Sequence, residues 1–463
     1  MSKSGPELPQ MKRVRAQSDG RQGSHLGAQA ASPRKAKAKR TRRAPRLAGP
    51  WMRRLLKTLG PGIITGAADD DPSGIATCSV AGAQLGMSLL WVAPLSWPLM
   101  VAVQMMCARI GMVTGRGLAG NLKQRFPQSL LSAAVLALLA ANTFNIGADL
   151  AGMADAAQML SGISSRWFVI LFAALIGWAT VRLHYRQIAD TLKWLVLVLL
   201  AYPITAFVVG PDWSHVARAT FLPSMPHGRA AWSTIVALLG TTISPYLFFW
   251  QTSQEIEEEK DEGKTTIASR EGATADELAL RGIDVGIGGF FSNLVTFFII
   301  LTTAVTLNPH GIRNIETTRQ AAEALRPLAG RFAATLFTVG IVGVGFLAIP
   351  TLAGSAAYAC AETLGWQQGL GRAVKNARAF YAIILLSTVA GAVIDFCGID
   401  PVKALYWTAI VNGLLAPFLL LGILMVATDK KLMLGQPSSR LATIVVALTT
   451  AAMFVAGVAM FLV

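Results

Sequence analysis

Apolar residues along this chain gather into blocks of twenty or so from about residue 59 to the end, separated by short polar stretches. A bilayer core about 30 Å thick takes roughly 20 apolar residues per helix. Blocks of that kind lie near residues 59–82, 88–113, 129–160, 167–182, 192–210, 231–253, 283–307, 332–358, 379–396, 401–427 and 441–462. They predict an all-α integral membrane protein of about eleven transmembrane helices, embedded in a lipid bilayer. The glycines between Gly340 and Gly345 are the one place where a span could divide, so ten or twelve spans are the alternatives.

Composition agrees with this pattern. The 463 residues are 53% hydrophobic and 14% charged, whereas a soluble domain carries about 25% charged residues. The net charge is +16, and residues 1–57 hold sixteen Lys/Arg against Glu7 and Asp19. The basic character therefore belongs to a tail, and the rest of the chain is nearly neutral. Residues 1–50 have no apolar period and read as a disordered cytoplasmic tail, with residues 51–463 as the transmembrane domain. A run such as Arg34–Arg43 would also suit anionic lipid. Nothing interleaves aromatic residues with its charges, so no nucleic-acid partner is expected, and no obligate protein partner either.

Short loops after the even-numbered spans are basic, with Arg116, Arg182, Lys260, Arg372 and Lys430 among them. By the positive-inside rule the amino terminus is cytoplasmic and the carboxyl terminus outside, in a cell (inner) membrane. The loop around residues 309–326 is a mild exception, with Arg313, Arg319 and Arg326. Residues 254–282 are charged with mixed sign and read as a solvated cytoplasmic helix or connector. Cys78, Cys107, Cys360 and Cys397 fall in apolar stretches without short spacing, and read as core residues rather than a disulfide or thiolate cluster.

Two spans carry chemistry. The first places Asp69, Asp70 and Asp71 mid-span, followed by Pro72 and Gly74. An ionised Asp at the centre of a spanning helix costs on the order of 3 kcal/mol, and Pro72 removes a backbone hydrogen bond. Such a segment persists only where protein or a water-filled cavity covers it. It predicts a helix that unwinds over Asp69–Gly74 and offers carbonyls and a carboxylate to a ligand. The sixth span has a matching break at Thr241-Thr242-Ile243-Ser244-Pro245-Tyr246. A pair of broken helices at corresponding positions of two halves marks a midplane site in a secondary transporter. The donors there are all oxygens, which suit hard cations such as Mg²⁺, Mn²⁺ or Ca²⁺.

At these residues the sequence resembles the NRAMP family of divalent metal transporters. Gly60-Pro61-Gly62, the stretch Ala81–Trp91, Arg109–Arg116, Leu352–Ser355 and Thr428–Met433 carry the resemblance together, in the family's order. It implies a LeuT-like 5+5 inverted repeat with interrupted helices 1 and 6. The repeats would cover about 59–210 and 231–427, with an extra helix at about 441–462. The family's DPGN motif becomes Asp71-Pro72-Ser73-Gly74, and its MPH motif becomes Ser244-Pro245-Tyr246.

The resemblance assigns Asp71 as metal ligand, Ala68 and Thr241 as carbonyl donors, Gly74 at the place of the family's Asn, and Ser244 at the place of its Met. A thioether favours soft transition metals; its replacement by Ser244 resembles the NRAMP-related magnesium transporters. Transport of hard, partly hydrated ions is expected, Mg²⁺ ahead of Mn²⁺, with no bound cofactor and no enzymatic activity. The family's helix-6 His is Tyr246, and of two helix-3 acids only Asp149 remains, with Gly152 at the other position, so proton coupling is expected to be weak or absent. Asn412 lies near Leu415, where the family has a helix-10 Gln.

Asp69 and Asp70 are accessory ligands, cation attractants, or acids facing water in a vestibule. Asp149 is either a relay group or a buried acid satisfied by Asn142, Thr143 and Asn145. Three other functions remain: a proton-coupled Mn²⁺/Fe²⁺ transporter of the general family type, a LeuT-type sodium symporter, and a non-transporting metal sensor.

Overall fold

The computed structural model describes Gly66 and residues 69–183, 197–225, 228–315 and 317–462. The basic tail, the Gly60-Pro61-Gly62 motif and Ala68 lie outside them. Among the described residues the chain is helical without strands.

Twelve helices make the framework. They are α1 (Pro72–Leu85), α2 (Val92–Thr114), α3 (Gln128–Ser161), α4 (Ser165–Arg182), α5 (Ala201–Val209), α6 (Arg229–Thr242), α7 (Pro245–Asp261), α8 (Ala275–Thr306), α9 (Ala333–Leu364), α10 (Arg378–Asp395), α11 (Pro401–Thr428) and α12 (Arg440–Leu462). With α6 and α7 taken as one broken span, nine stretches among the described residues are long and apolar enough to cross a bilayer. The first and fifth expected spans are the other two, each lying partly outside the described residues. Helix α9 runs unbroken through Gly340–Gly345, because neither Gly nor Pro350 interrupts its apolar packing.

The helices pack in two groups. In one, α1 lies against α8, and α2 against both α7 and α8; in the other, α3 packs on α9 and α10, and α4 on α3 and α10. Helix α11 touches α1, α3 and α6 and joins the groups. Small residues permit the closest crossings, since lipid gives helices no hydrophobic reason to associate and van der Waals fit must do so. A Cβ on Gly147 of α3 would lie 2.7 Å from the Gly391 carbonyl oxygen of α10, and one on Gly240 of α6 would collide with the Ala409 and Gly413 backbone of α11.

Two expectations are corrected. The segment 254–282 is only partly solvated: α7 continues to Asp261 and α8 begins at Ala275, the residues between are mostly exposed, but Glu255, Glu259, Arg270 and Arg281 turn inward. Arg281 reaches Glu255 at 2.9 Å and Asp284 at 2.9 Å, and also contacts Glu258. Arg270 is buried and donates to the Gly115 carbonyl at the end of α2. Mixed sign is what made this possible, because opposite charges can be buried together when they satisfy one another. The second correction is Cys397, which sits exposed in the turn after α10, while Cys78, Cys107 and Cys360 are buried. The apolar run of α10 ends at Asp395, and Gly398 at φ 76° carries the chain round.

Candidate metal site at the two broken helices

The first break is shorter than its sequence suggested. Gly66 and Asp69 are helical, Asp70 and Asp71 are not, and α1 resumes at Pro72. Pro72 is well placed there, since the first helical position has no intrahelical N–H bond to lose. Asp71 serves as the N-cap: its Oδ1 accepts from the Gly74 amide at 2.7 Å and from the Ser73 hydroxyl at 2.7 Å. Ser73 and Gly74 thus belong to the first turn of α1 rather than to the unwound segment.

The second break is Ile243–Ser244, between α6 and α7, with Pro245 again opening the following helix. The Ser244 hydroxyl turns back and donates to the Gly240 carbonyl at 2.8 Å and the Thr241 carbonyl at 2.7 Å. The breaks meet. A Cβ on Gly74 would sit 3.4 Å from Asp71 Oδ1, 3.6 Å from the Asp69 carbonyl oxygen and 3.9 Å from Thr241 Cβ, all ordinary contacts. Asp71, Gly74 and Thr241 therefore lie close together, and Ser244 and Tyr246 are buried.

Asp71 is 3% exposed, so the region is sealed from bulk solvent in this conformation. Its second oxygen, Oδ2, accepts from the Asn145 amide nitrogen of α3 at 3.1 Å. The sequence reading had not placed Asn145 among the site residues. Asn145 and Asp149 are one helical turn apart and share a face of α3.

Asp149 is 0% exposed, and no side chain donates to its carboxylate oxygens; the Ser73 backbone amide at the start of α1 is the donor that approaches it. The expectation that neighbouring amides and hydroxyls satisfy it does not hold. Asn142 donates to Leu352 and Ser355, Thr143 to Leu139, and Asn145 to Asp71. Asn412 is buried with its Oδ1 unpartnered. At Gly152 a Cβ would press on Leu405 Cδ1 at 2.9 Å, so the space there is apolar and closed.

Asp69 and Asp70 do not face an open vestibule. Both are buried against α8, where the Ser292 hydroxyl lies 2.7 Å from Asp69 Oδ2 and 3.1 Å from Asp70 Oδ1. Among the described residues no three His, Cys, Asp or Glu side chains converge to chelate a metal. The donors at the breaks are carboxylate, carbonyl, amide and hydroxyl oxygens, a set that suits hard cations.

The model of the natural resistance-associated macrophage protein-like (Nramp) family matches residues 62–463. The chain belongs to the Nramp family. Among similar Nramp proteins, the divalent metal cation transporter MntH of Caldanaerobacter subterraneus is 27% identical over 398 residues, covering 82% of this chain and 87% of that one. MntH of Yersinia enterocolitica is 28% identical over 309 residues, 65% of this chain and 71% of its own. In fold, the Eremococcus coleocola manganese transporter superposes with a TM-score of 0.69 at 18% identity, over 89% of this chain and 87% of that one. MhsT, solved with L-phenylalanine, gives a TM-score of 0.54 at 12% identity over 86% and 96%. This Nramp chain is thus a multi-pass membrane transporter with a LeuT-like fold, of a family that moves divalent metals and not a family of enzymes.

Proposed function

We propose that this chain moves hard divalent cations by alternating access, Mg²⁺ ahead of Mn²⁺, with weak or no proton coupling. Asp71 Oδ2 and the Thr241 carbonyl are its ligands, with Ala68 supplying a second carbonyl and Gly74 leaving room for retained water. The observation that carries the reading is Ser244. Its hydroxyl is spent on the Gly240 and Thr241 carbonyls, so this position presents no soft donor to the ion. Mg²⁺ dehydrates reluctantly and keeps several waters, and Gly74 brings no side chain to displace them. The cationic tail and basic even-numbered loops support a cytoplasmic amino terminus in an inner membrane, with uptake as the direction of transport.

Liposomes carrying the purified protein test this directly. Mg²⁺ and Mn²⁺ uptake should both be abolished in Asp71→Ala; unchanged uptake would remove the site.

Asp149 favours a second reading, proton-coupled Mn²⁺ or Fe²⁺ transport, because it is a fully buried carboxylate one helical turn from Asn145, which bonds Asp71. A pH-sensitive dye inside the same liposomes separates the two. Acidification that scales with metal uptake and vanishes in Asp149→Asn would establish the second reading.

A further inference from the structure

We infer that Asn145 is a specificity residue that holds the hydration shell of an ion docked on Asp71; the inference rests on the site reading above. Four observations lead to it. Asn145 is 0% exposed. Its amide nitrogen donates to Asp71 Oδ2 at 3.1 Å, and this orientation is fixed by chemistry, because the opposite one would set an amide oxygen against a carboxylate. Its own Oδ1 therefore points elsewhere, and it has no partner. One turn along the same face of α3, the Asp149 carboxylate is approached by the Ser73 backbone amide and receives no side-chain donor, so it keeps accepting capacity.

Buried acceptors left without donors are costly. A partly hydrated cation relieves that cost from the other direction: metal-bound water is a strengthened donor with two protons to place. Such a water, on an ion held at Asp71 Oδ2, can give its protons to Asn145 Oδ1 and to Asp149. A bare ion cannot use these acceptors in that way, so they select for an ion that keeps its water. Gly74 supplies no amide on α1, and Asn145 brings one from α3 instead, one shell further out. The role is distinct from that of Asp71, which touches the ion, and from that of Ser73 and Gly74, which hold Asp71 in place.

Two isosteric substitutions separate the acceptor role from the donor role. Asn145→Leu removes both functions; Asn145→Asp keeps an acceptor oxygen and loses the donor to Asp71. The expected result for Asn145→Leu in liposomes is a KM for Mg²⁺ raised by roughly tenfold or more, the scale of one lost hydrogen bond to a charged shell. Mn²⁺, which sheds water more readily, should change by less, and the maximal rate by little. Asn145→Asp should recover much of the lost Mg²⁺ preference.

A purely structural role, in which Asn145 only props Asp71, predicts the reverse. Asn145→Asp would then be the worse variant, and both metals would suffer alike; either outcome overturns the inference. If Asn145→Leu does not fold, the Mg²⁺/Mn²⁺ ratio of Asn145→Asp against wild type decides alone: a retained preference supports the inference and its collapse overturns it. Asp71→Ala in parallel distinguishes the two levels. A dead Asp71→Ala beside an Asn145→Leu with wild-type Mg²⁺ KM defeats this inference only, while an active Asp71→Ala defeats the site.

Discussion

The Ser244 hydroxyl returns to the Gly240 and Thr241 carbonyls, so the oxygens freed by Pro245 already have a donor when the site is empty. A carbonyl has two lone pairs, and the Thr241 oxygen keeps one for an ion. Ser244→Met replaces the hydroxyl with a thioether and releases both carbonyls. Combined with Gly74→Asn, whose Cβ the packing accepts, it should shift the Mn²⁺/Mg²⁺ uptake ratio toward Mn²⁺ by roughly tenfold, about 1.4 kcal/mol. Competition between the two metals in liposomes measures that ratio. At this scale the sequence was informative wherever a residue type contradicted its surroundings: Asp71 in an apolar span, Ser244 before a mid-span proline. Asn145 was not legible, because a single Asn in a helix fits many roles, and only the approach of α3 to α1 gives it Asp71 as a partner.

Among the elements, breaks and spans follow from apolar run length and proline position, which is why they could be read from the chain. The inward turn of the charges between α7 and α8 could not be, since the same residues in another register would be solvated. Arg281 pairs with Glu255, Glu258 and Asp284 in that cluster. Arg281→Met should cost about 3–5 kcal/mol by taking its cationic partner from the buried Glu255 carboxylate, seen as a lower melting temperature in detergent. Replacing Glu255 and Arg281 together by Met should cost less than the single change. The α6–α11 crossing makes a second demand: Gly240→Leu forces a side chain into the Ala409–Gly413 backbone and should destabilise by at least the roughly 1–3 kcal/mol of ordinary overpacking. Thermal unfolding of that variant checks it.

For the whole molecule, a site sealed in the middle of the bundle requires the two helix groups to open it alternately to each side. The joints at Asp70–Asp71 and Ile243–Ser244 are natural places for this, because unwound residues can take up a change in φ and ψ. The turn after α10 gives a handle on orientation. Cys397 is exposed there while Cys78, Cys107 and Cys360 are buried. With the amino terminus inside, Cys397 faces out, so a membrane-impermeant maleimide added to intact cells should label wild type and not Cys397→Ser. Labelling only after the cells are opened would invert the proposed topology.

The capping of α1 by Asp71 also bears on which hard ions are refused. Oδ1 is engaged by Ser73 and Gly74, and Oδ2 has room for one further partner. Calcium often takes both oxygens of a carboxylate, whereas magnesium takes one in a tight octahedron. A calcium ion gripping Asp71 with both oxygens would have to uncap the helix, at a cost of about 1 kcal/mol. With Asp71 as the proposed ligand, the start of a helix would act as a filter on coordination mode, sorting ions of equal charge by how many oxygens they demand. Ser73→Ala loosens that hold, and should make Ca²⁺ a stronger competitor of Mg²⁺ uptake.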